Sequence, residues 1–521
     1  MISRLGVENR NINNYYLTQS DDKKENKNPS FKGGGLFPLI LQGVQACEQN
    51  PMINVAVIDM FSAILPRTFV ESLTNWFAGF EAFRRESSGL IVNCMIPGFI
   101  TLGMAKLINS RFMPKGANMA SCWADSNMLT KMAEIYKASS AEDKTKDSLK
   151  QILKNIEGFD GNKKLAYKDI LSEEEIEKFT LRLRDLSKKD LKKKDLDKEI
   201  KKLTDEIVEK TKIYENIRVN GGKNPVKANT VESLLSDSVK FFHEFEKAGK
   251  DIGIEEFAKR SKKLVRGKSL LGLGIILPLA ASMQYINRWI TEKISGVKGA
   301  PIYNDFGKEK DSDAKIQGKS KEGLLKQKII SISSMLTVGL LSMMKIPSMS
   351  MLEFKGRFPS MDQARIISTT TFASRMAAAD DKHELAEATI RDIATFLSLY
   401  FLGDYAAKGT ATLIEKKKGI KLLNDTKPIS KDANIFKKAW HWFKDVNLKS
   451  SKEVRGDKAV KYRSACQAAN LGVSLVLLGL VIPIFVRKNT AKKHAEEKKN
   501  AERDMAVINT NTNSISEKVR A

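Results

Sequence analysis

Four cysteines, Cys47, Cys94, Cys122 and Cys466, are all that the 521 residues contain. Thiols this sparse cannot form a disulfide framework, and no two lie at metal-ligand spacing, so a reducing compartment is expected. The four histidines, His243, His383, His441 and His494, are scattered. No pair has the spacing that places two imidazoles on one helix face to hold a metal. Acidic residues are also short: 62 Asp and Glu face 88 Lys and Arg, an excess of +26. Such a surplus selects an anionic partner, either nucleic acid or a membrane surface.

Recognisable chemistry is missing too. "GKS" occurs at 267–269 and 318–320, but Lys262 and Asp313 stand where a phosphate loop needs its first glycine, so neither is one. "HELAE" at 383–387 lacks the second histidine of a zinc-protease motif, and Asp380, Asp381 and Glu384 have no second acidic cluster with which to hold a metal-bound diphosphate. No catalytic, cofactor or metal residues are assigned, and a non-catalytic protein is expected. The first apolar run begins only at Leu36, after "SDDKKENKNPS", so no cleavable signal peptide is expected.

What is there is apolar and basic, in separate places. With 42% hydrophobic and 29% charged residues, bulk disorder is excluded. Residues 141–260 are densely charged yet nearly balanced, whereas 401–521 hold 25 Lys and Arg against 12 Asp and Glu, and 261–300 hold 7 against 1. Both basic segments adjoin long uncharged runs. A helix needs about 20 mostly apolar residues to cross a bilayer. Candidate blocks are 87–105, 269–287, 329–346 and the strongest, 468–486, which is followed at once by "RKNTAKK". The third reaches full length only if Lys345 snorkels to the interface. The alternative for each block is a core helix, apolar all round, in a large soluble protein.

Pro97, Pro278 and Pro483 interrupt three of the blocks. Helix breaks of this kind build transporter sites, although here they lie beside no ionisable group within the blocks, which favours kinks that serve packing. The bias of Lys and Arg does not decide orientation. "KRSKKLVRGK" and the basic segment 408–467 argue for one cytoplasmic side, and the equally basic tail argues against it.

Between the first two blocks lies a charged stretch with helical periodicity. Ile176, Phe179, Leu183 and Leu186 form one apolar stripe, and Leu196, Ile200, Leu203 and Ile207 a second. The spacing predicts helix from Glu173 to about Ile217, starting at a Ser172 cap, as a solvated hairpin or, alternatively, a coiled coil through which 173–217 self-associates or binds a protein partner.

Two segments read as membrane-interface candidates. Phe69, Leu73, Trp76, Phe77, Phe80 and Phe83 fall at helical spacing beside Arg84 and Arg85, which suits the headgroup region or a packed helix equally. "IFKKAWHWFKDV" places Trp440, Trp442 and Phe443 among Lys437, Lys438 and Lys444, with His441 between the indoles. Such basic-aromatic mixtures favour anionic lipid, while single-stranded nucleic acid or a buried role for the tryptophans is the alternative.

The expected protein is an all-α helical membrane protein with an inserted, charged, soluble helical domain. Its parts are a disordered tail (1–35), apolar and amphipathic helices (36–130), the soluble domain (131–265), a second membrane region (266–407), a basic amphipathic segment (408–467), a last span (468–486) and a basic polar tail (487–521). The expected role is scaffolding at an inner or cytoplasmic membrane with anionic lipids as partners. A transporter or channel component is second, and a soluble nucleic-acid binder is third.

Overall fold

The computed structural model describes most of residues 43–486. Residues 1–42, 297–322 and nearly all of 487–521 lie outside the described residues, as do a few short internal stretches, among them Lys345 and Asp381. Both predicted tails therefore fall outside the description. The fold is 75% helical with few strands, as the sequence led us to expect.

In chain order the elements are α1 (Met52–Ser72), α2 (Trp76–Phe112), α3 (Ser126–Ala138), α4 (Lys144–Lys154), β1 (Ile156–Asp160), β2 (Lys163–Ala166), α5 (Glu173–Lys188) and α6 (Lys193–Thr211). Then come β3 (Glu215–Val219), β4 (Val226–Thr230), α7 (Val231–Lys247), α8 (Ile254–Ser295), α9 (Leu324–Ser342), α10 (Met361–Ala377), α11 (Lys382–Leu397) and α12 (Gly403–Lys418). The described chain closes with β5 (Leu423–Asp425), α13 (Ile435–Lys444), β6 (Val446–Leu448) and α14 (Asp457–Val486).

Local chemistry sets many of the boundaries. Asn75 accepts from Ala78 N at 2.7 Å and starts α2, and Ser172 with Glu175 forms a reciprocal capping box on α5. The helix predicted through Ile217 ends earlier. It stops at Thr211, Lys212 turns into the left-handed region at φ 55°, and the chain then runs as strand β3. The reason lies in the change of period: Ile217 and Val219 are buried at every second position, which suits a half-buried strand and not a helix. The predicted soluble domain, 131–265, thus contains an antiparallel four-stranded sheet in the order β2-β1-β3-β4. Gly161, at φ 67°, makes the tight turn between β1 and β2.

Both predicted stripes of the charged stretch face inward. Ile176, Phe179 and Leu183 of α5 and Ile200, Leu203 and Ile207 of α6 join Leu149, Phe241 and Phe242 in one core. That core extends into α8 through Phe257, Leu264 and Val265. Further along the same helix, Leu273, Ile276 and Ala280 pack with Val92, Phe354 and Ile367 in a second core. Its 42 residues rise about 63 Å without interruption, so one helix belongs to both cores.

Five helices, α1, α2, α8, α9 and α14, are long and apolar enough to cross a membrane. Three contain predicted blocks whole, and α9 contains 329–342 of the third block, whose end falls at residues outside the description. The fifth, α1, was hidden by Asp59 and Arg67. Pro97, Pro278 and Pro483 do not end their helices. Wide turns at Ile91–Met95 and Leu477–Val481 precede Pro97 and Pro483, and another at Asp59–Ile64 precedes Pro66. A proline removes one N–H and crowds the carbonyl four residues back, and a local π-turn absorbs both.

Candidate functional site

The outer surface of these helices is apolar where a soluble protein would be polar. Phe69 is 67% exposed, Trp76 74%, Phe99 70% and Leu341 71%, with Trp289, Leu480 and Phe485 also open. Isolated exposed apolar residues are ordinary, but so many on adjacent long helices mark an interaction surface. The aromatic stripe predicted around residue 76 is on this outside, with Trp76 stacked on Phe80 at 6.5 Å. Arg84 lies over the Phe80 ring and donates to Thr291. Arg85, its neighbour, points the other way and is buried.

The second predicted segment forms the amphipathic helix α13. Asn434 caps it, Phe436 is 80% exposed, and Trp440 and Phe443 are open to solvent. Lys437 and Lys438 are exposed beside them. The two tryptophans differ: Trp442 is half-buried, donating from its indole to Thr412 Oγ1 at 3.2 Å and packing edge-on against Phe443. His441 Nε2 lies 2.9 Å from both Asp425 Oδ1 and Lys427 O. Lys408 of α12 secures the end of the helix, donating to the carbonyls of Trp442 at 2.8 Å and Phe443 at 3.1 Å. A cation there complements the negative end of the helix dipole, while burial pushes the Lys408 amine down to about 8.

Sequence reasoning missed a buried ion-pair cluster. Glu86 of α2 lies 3.0 Å from Arg67 of α1, 3.1 Å from Arg85 and 3.1 Å from Arg375 of α10. Arg85 continues to Glu71 at 2.9 Å, and Arg375 reaches Asp392 of α11, which also pairs with Arg391 at 3.1 Å. Arg67 donates onward to Thr395 at 2.6 Å. Close by, Arg288 of α8 pairs with Glu81 and Glu384. The apolar blocks contain none of these residues: Arg85, Glu86 and Arg288 sit just past block ends, and Arg67, Arg375, Arg391 and Asp392 lie on helices outside the blocks.

A cleft of about 1570 Å³ lies between the hairpin β3–β4, the start of α3, the end of α9 with residues 348–365, and the region of α12 and β6. Nine Lys and Arg and five Asp and Glu line it. Each carboxylate is engaged: Asp125 with Lys355, Glu134 with Lys131, Asp362 with Arg365, Asp404 with Asn470, and Asp445 with Lys427. None of Pro97, Pro278 and Pro483 lines it. Among the described residues no group of three or more His, Cys, Asp or Glu is placed to hold a metal ion.

The C-terminal basic segment is clamped onto the helix-and-sheet region 131–265. Glu453 Oε1 accepts from the backbone of Tyr214 at 2.9 Å and Glu215 at 2.8 Å, while its other oxygen accepts from Ser450 N. Lys449 pairs with Asp160 and Lys452 with Asp205. Burial, with Glu453 and Glu48 adding like charge, pushes the Glu215 carboxyl up to about 7.

No family model, curated protein or solved structure matches this chain. The class is therefore defined by the fold alone: a mainly helical protein with, among the described residues, five helices apolar enough to cross a membrane and a mixed helix-and-sheet region built onto one of them.

Proposed function

We propose that this is an integral membrane protein that holds its soluble domain in a fixed attitude at an anionic membrane surface, as a non-catalytic organising platform. The observation that carries this reading is α8, one unbroken helix that contributes Leu264 to the soluble core and Ile276 to the core of the apolar bundle. A tether needs no such continuity, whereas a platform does. The exposed belt supplies lipid-facing surface, and α13 supplies a basic-aromatic face of the kind that lies in a headgroup layer.

The ion pairs of Lys449 with Asp160 and Lys452 with Asp205 support a reading in which the basic segment 408–467 shares a side with the soluble domain and the basic start of α8. Two of the three basic regions that gave conflicting orientations thus agree, and the positive-inside preference supports a cytoplasmic location for that side. Spin labels at Lys198→Cys in α6 and Leu402→Cys in the apolar bundle test the platform. One narrow distance distribution in liposomes is expected, and a broad one would refute a fixed attitude.

A second reading, a transporter or channel component, draws on the ion-pair cluster, because ionisable groups on apolar helices are costly and commonly functional. Its original motive, a cavity at the prolines, finds no support in the described cleft. Ion or proton flux in reconstituted vesicles that Glu86→Gln abolishes would favour it over the platform. Salt-sensitive RNA binding without detergent would favour the nucleic-acid reading instead.

A further inference from the structure

The large cleft runs down into the apolar bundle, and its walls show how far. Arg463 of α14 donates to the Lys449 carbonyl, and Lys449 pairs with Asp160 of β1, so this end of α14 adjoins region 131–265. Arg463 is also the last charge before the uncharged run that ends at Val486. Asn470, seven residues on, lies about 10 Å deeper along the helix and donates to Asp404, an exposed residue of the cleft wall. Tyr400 stands four residues before Asp404, on the helix that runs unbroken from α11 through Ser398–Leu402 into α12, and so about 6 Å deeper again. It too lines the cleft.

The facing wall gives the same depth. Lys355 and Ser360 line the cleft, and between them the Arg357 carbonyl oxygen lies 1.4 Å from where a Cβ on Gly98 would be. Gly98 is eight residues, about 12 Å, inside Lys106, the first charge after the block 87–105. The chain from Glu353 to Ser360 is not helical. Helix α10 begins only at Met361, and Arg375 holds its other end at Glu86. From Met361 to Arg375 the helix rises about 21 Å, less than the roughly 30 Å of a bilayer core. Irregular backbone and charged side chains persist at that depth only where protein or water covers them.

Below Tyr400 the interior is closed. Its hydroxyl lies 2.8 Å from Ser368 Oγ, and its ring packs against Phe396 at 4.9 Å, which in turn meets Phe372 at 6.4 Å. All three rings are buried, and Arg375 and Asp392 of the ion-pair cluster follow on the same two helices.

We infer that the cleft is a water-filled vestibule, open on the side of region 131–265 and ending about halfway through the bilayer on a plug made by Tyr400, Phe396 and Phe372. It admits small hydrophilic solutes from that side as far as Asp404 and Tyr400, and the plug stops them there. The inference rests on the membrane insertion proposed above, but it needs no fixed attitude of the soluble domain.

Phe401 and Leu402 test it, being neighbours at one depth. Phe401 lines the cleft, whereas Leu402 is exposed away from it. Sealed membrane vesicles of both orientations, from cells expressing the full chain, are treated with a charged, impermeant methanethiosulfonate. The native cysteines are buried, and an introduced thiol reacts as its thiolate, which water permits and lipid suppresses. Phe401→Cys should be labelled as fully as Lys163→Cys on the β1–β2 hairpin, and in the same vesicle orientation. Leu402→Cys should be labelled in neither. Tyr405→Cys, one turn nearer the mouth, should follow Phe401→Cys and carries the test if that variant misfolds. The vestibule is overturned if both cleft positions stay unlabelled while Lys163→Cys reacts, or if they react only from the opposite side. Labelling of Leu402→Cys as fast as Phe401→Cys would overturn the membrane insertion beneath it.

Discussion

Arg375 donates to Glu86 at 3.1 Å across 289 positions of sequence, and both side chains are no more than 5% exposed. Glu86 is the hub of the cluster, since Arg67 and Arg85 also close on it, and it thereby ties α1, α2 and α10 together. Charges buried this far from solvent persist only where each has partners.

Removing the hub should be costly. Glu86→Ala leaves three guanidinium groups short of their shared carboxylate, and a loss of about 3–5 kcal/mol is expected from breaking such a buried pair. Thermal unfolding in detergent measures it. Replacing both partners, as in Glu86→Leu with Arg375→Met, should cost less than the sum of the two single changes, and strict additivity would show that the pair does not act as a unit.

Helix packing offers a sharper contrast between two glycines of α2. A Cβ on Gly98 would lie 1.4 Å from the Arg357 carbonyl oxygen, whereas one on Gly103 would meet nothing within 4 Å. Gly98→Ala should therefore lower stability by about 1–3 kcal/mol through forced displacement of the 357 segment. Gly103→Ala should be neutral or slightly stabilising, by up to about 1 kcal/mol. Equal midpoints for the two variants would contradict this packing.

The clamp between the region 131–265 and the C-terminal segment should respond to pH. Glu215, with its carboxyl raised to about 7, holds its proton more tightly folded than unfolded. Its contribution is thus fully present below the ordinary carboxyl range and is lost as pH rises toward about 7. Glu215→Gln should match the parent in acid and exceed it in stability at pH 8. Chemical unfolding followed at both pH values reads the difference, and a variant weaker than the parent at pH 8 would reverse the sign.

Helix α13 should lie in the headgroup layer. The four native cysteines are all buried, so a spin label placed at Phe436→Cys reports from a single site. In anionic liposomes its collisions with oxygen should exceed those of a label at Lys437→Cys. Equal, water-like accessibility at both positions would remove α13 from the membrane surface.

The long elements were legible because their period and caps are local. Ser172 with three glutamates marks the start of α5, and the uncharged blocks mark α2, α8, α9 and α14. Strand β3 was not legible: Ile213 and Ile217 are four apart and continue a helical stripe, and only pairing with β1 and β4 makes the segment Glu215–Val219 a strand. The interface candidates divided for the same reason. Trp76 and Trp440 are exposed, but Trp442 and Arg85 were claimed by partners distant in sequence, Thr412 and Glu71. The cleft was invisible in the sequence, since its walls are drawn from segments spread over more than 300 positions.

Insertion of the five apolar helices is the claim on which the platform depends, and extraction tests it directly. Membranes from cells expressing the full chain are washed with high salt, then with alkaline carbonate, then with detergent, and the protein is followed in each supernatant. The protein should stay with the membranes through both washes and leave only in detergent. Release by salt, or by carbonate without detergent, would contradict it.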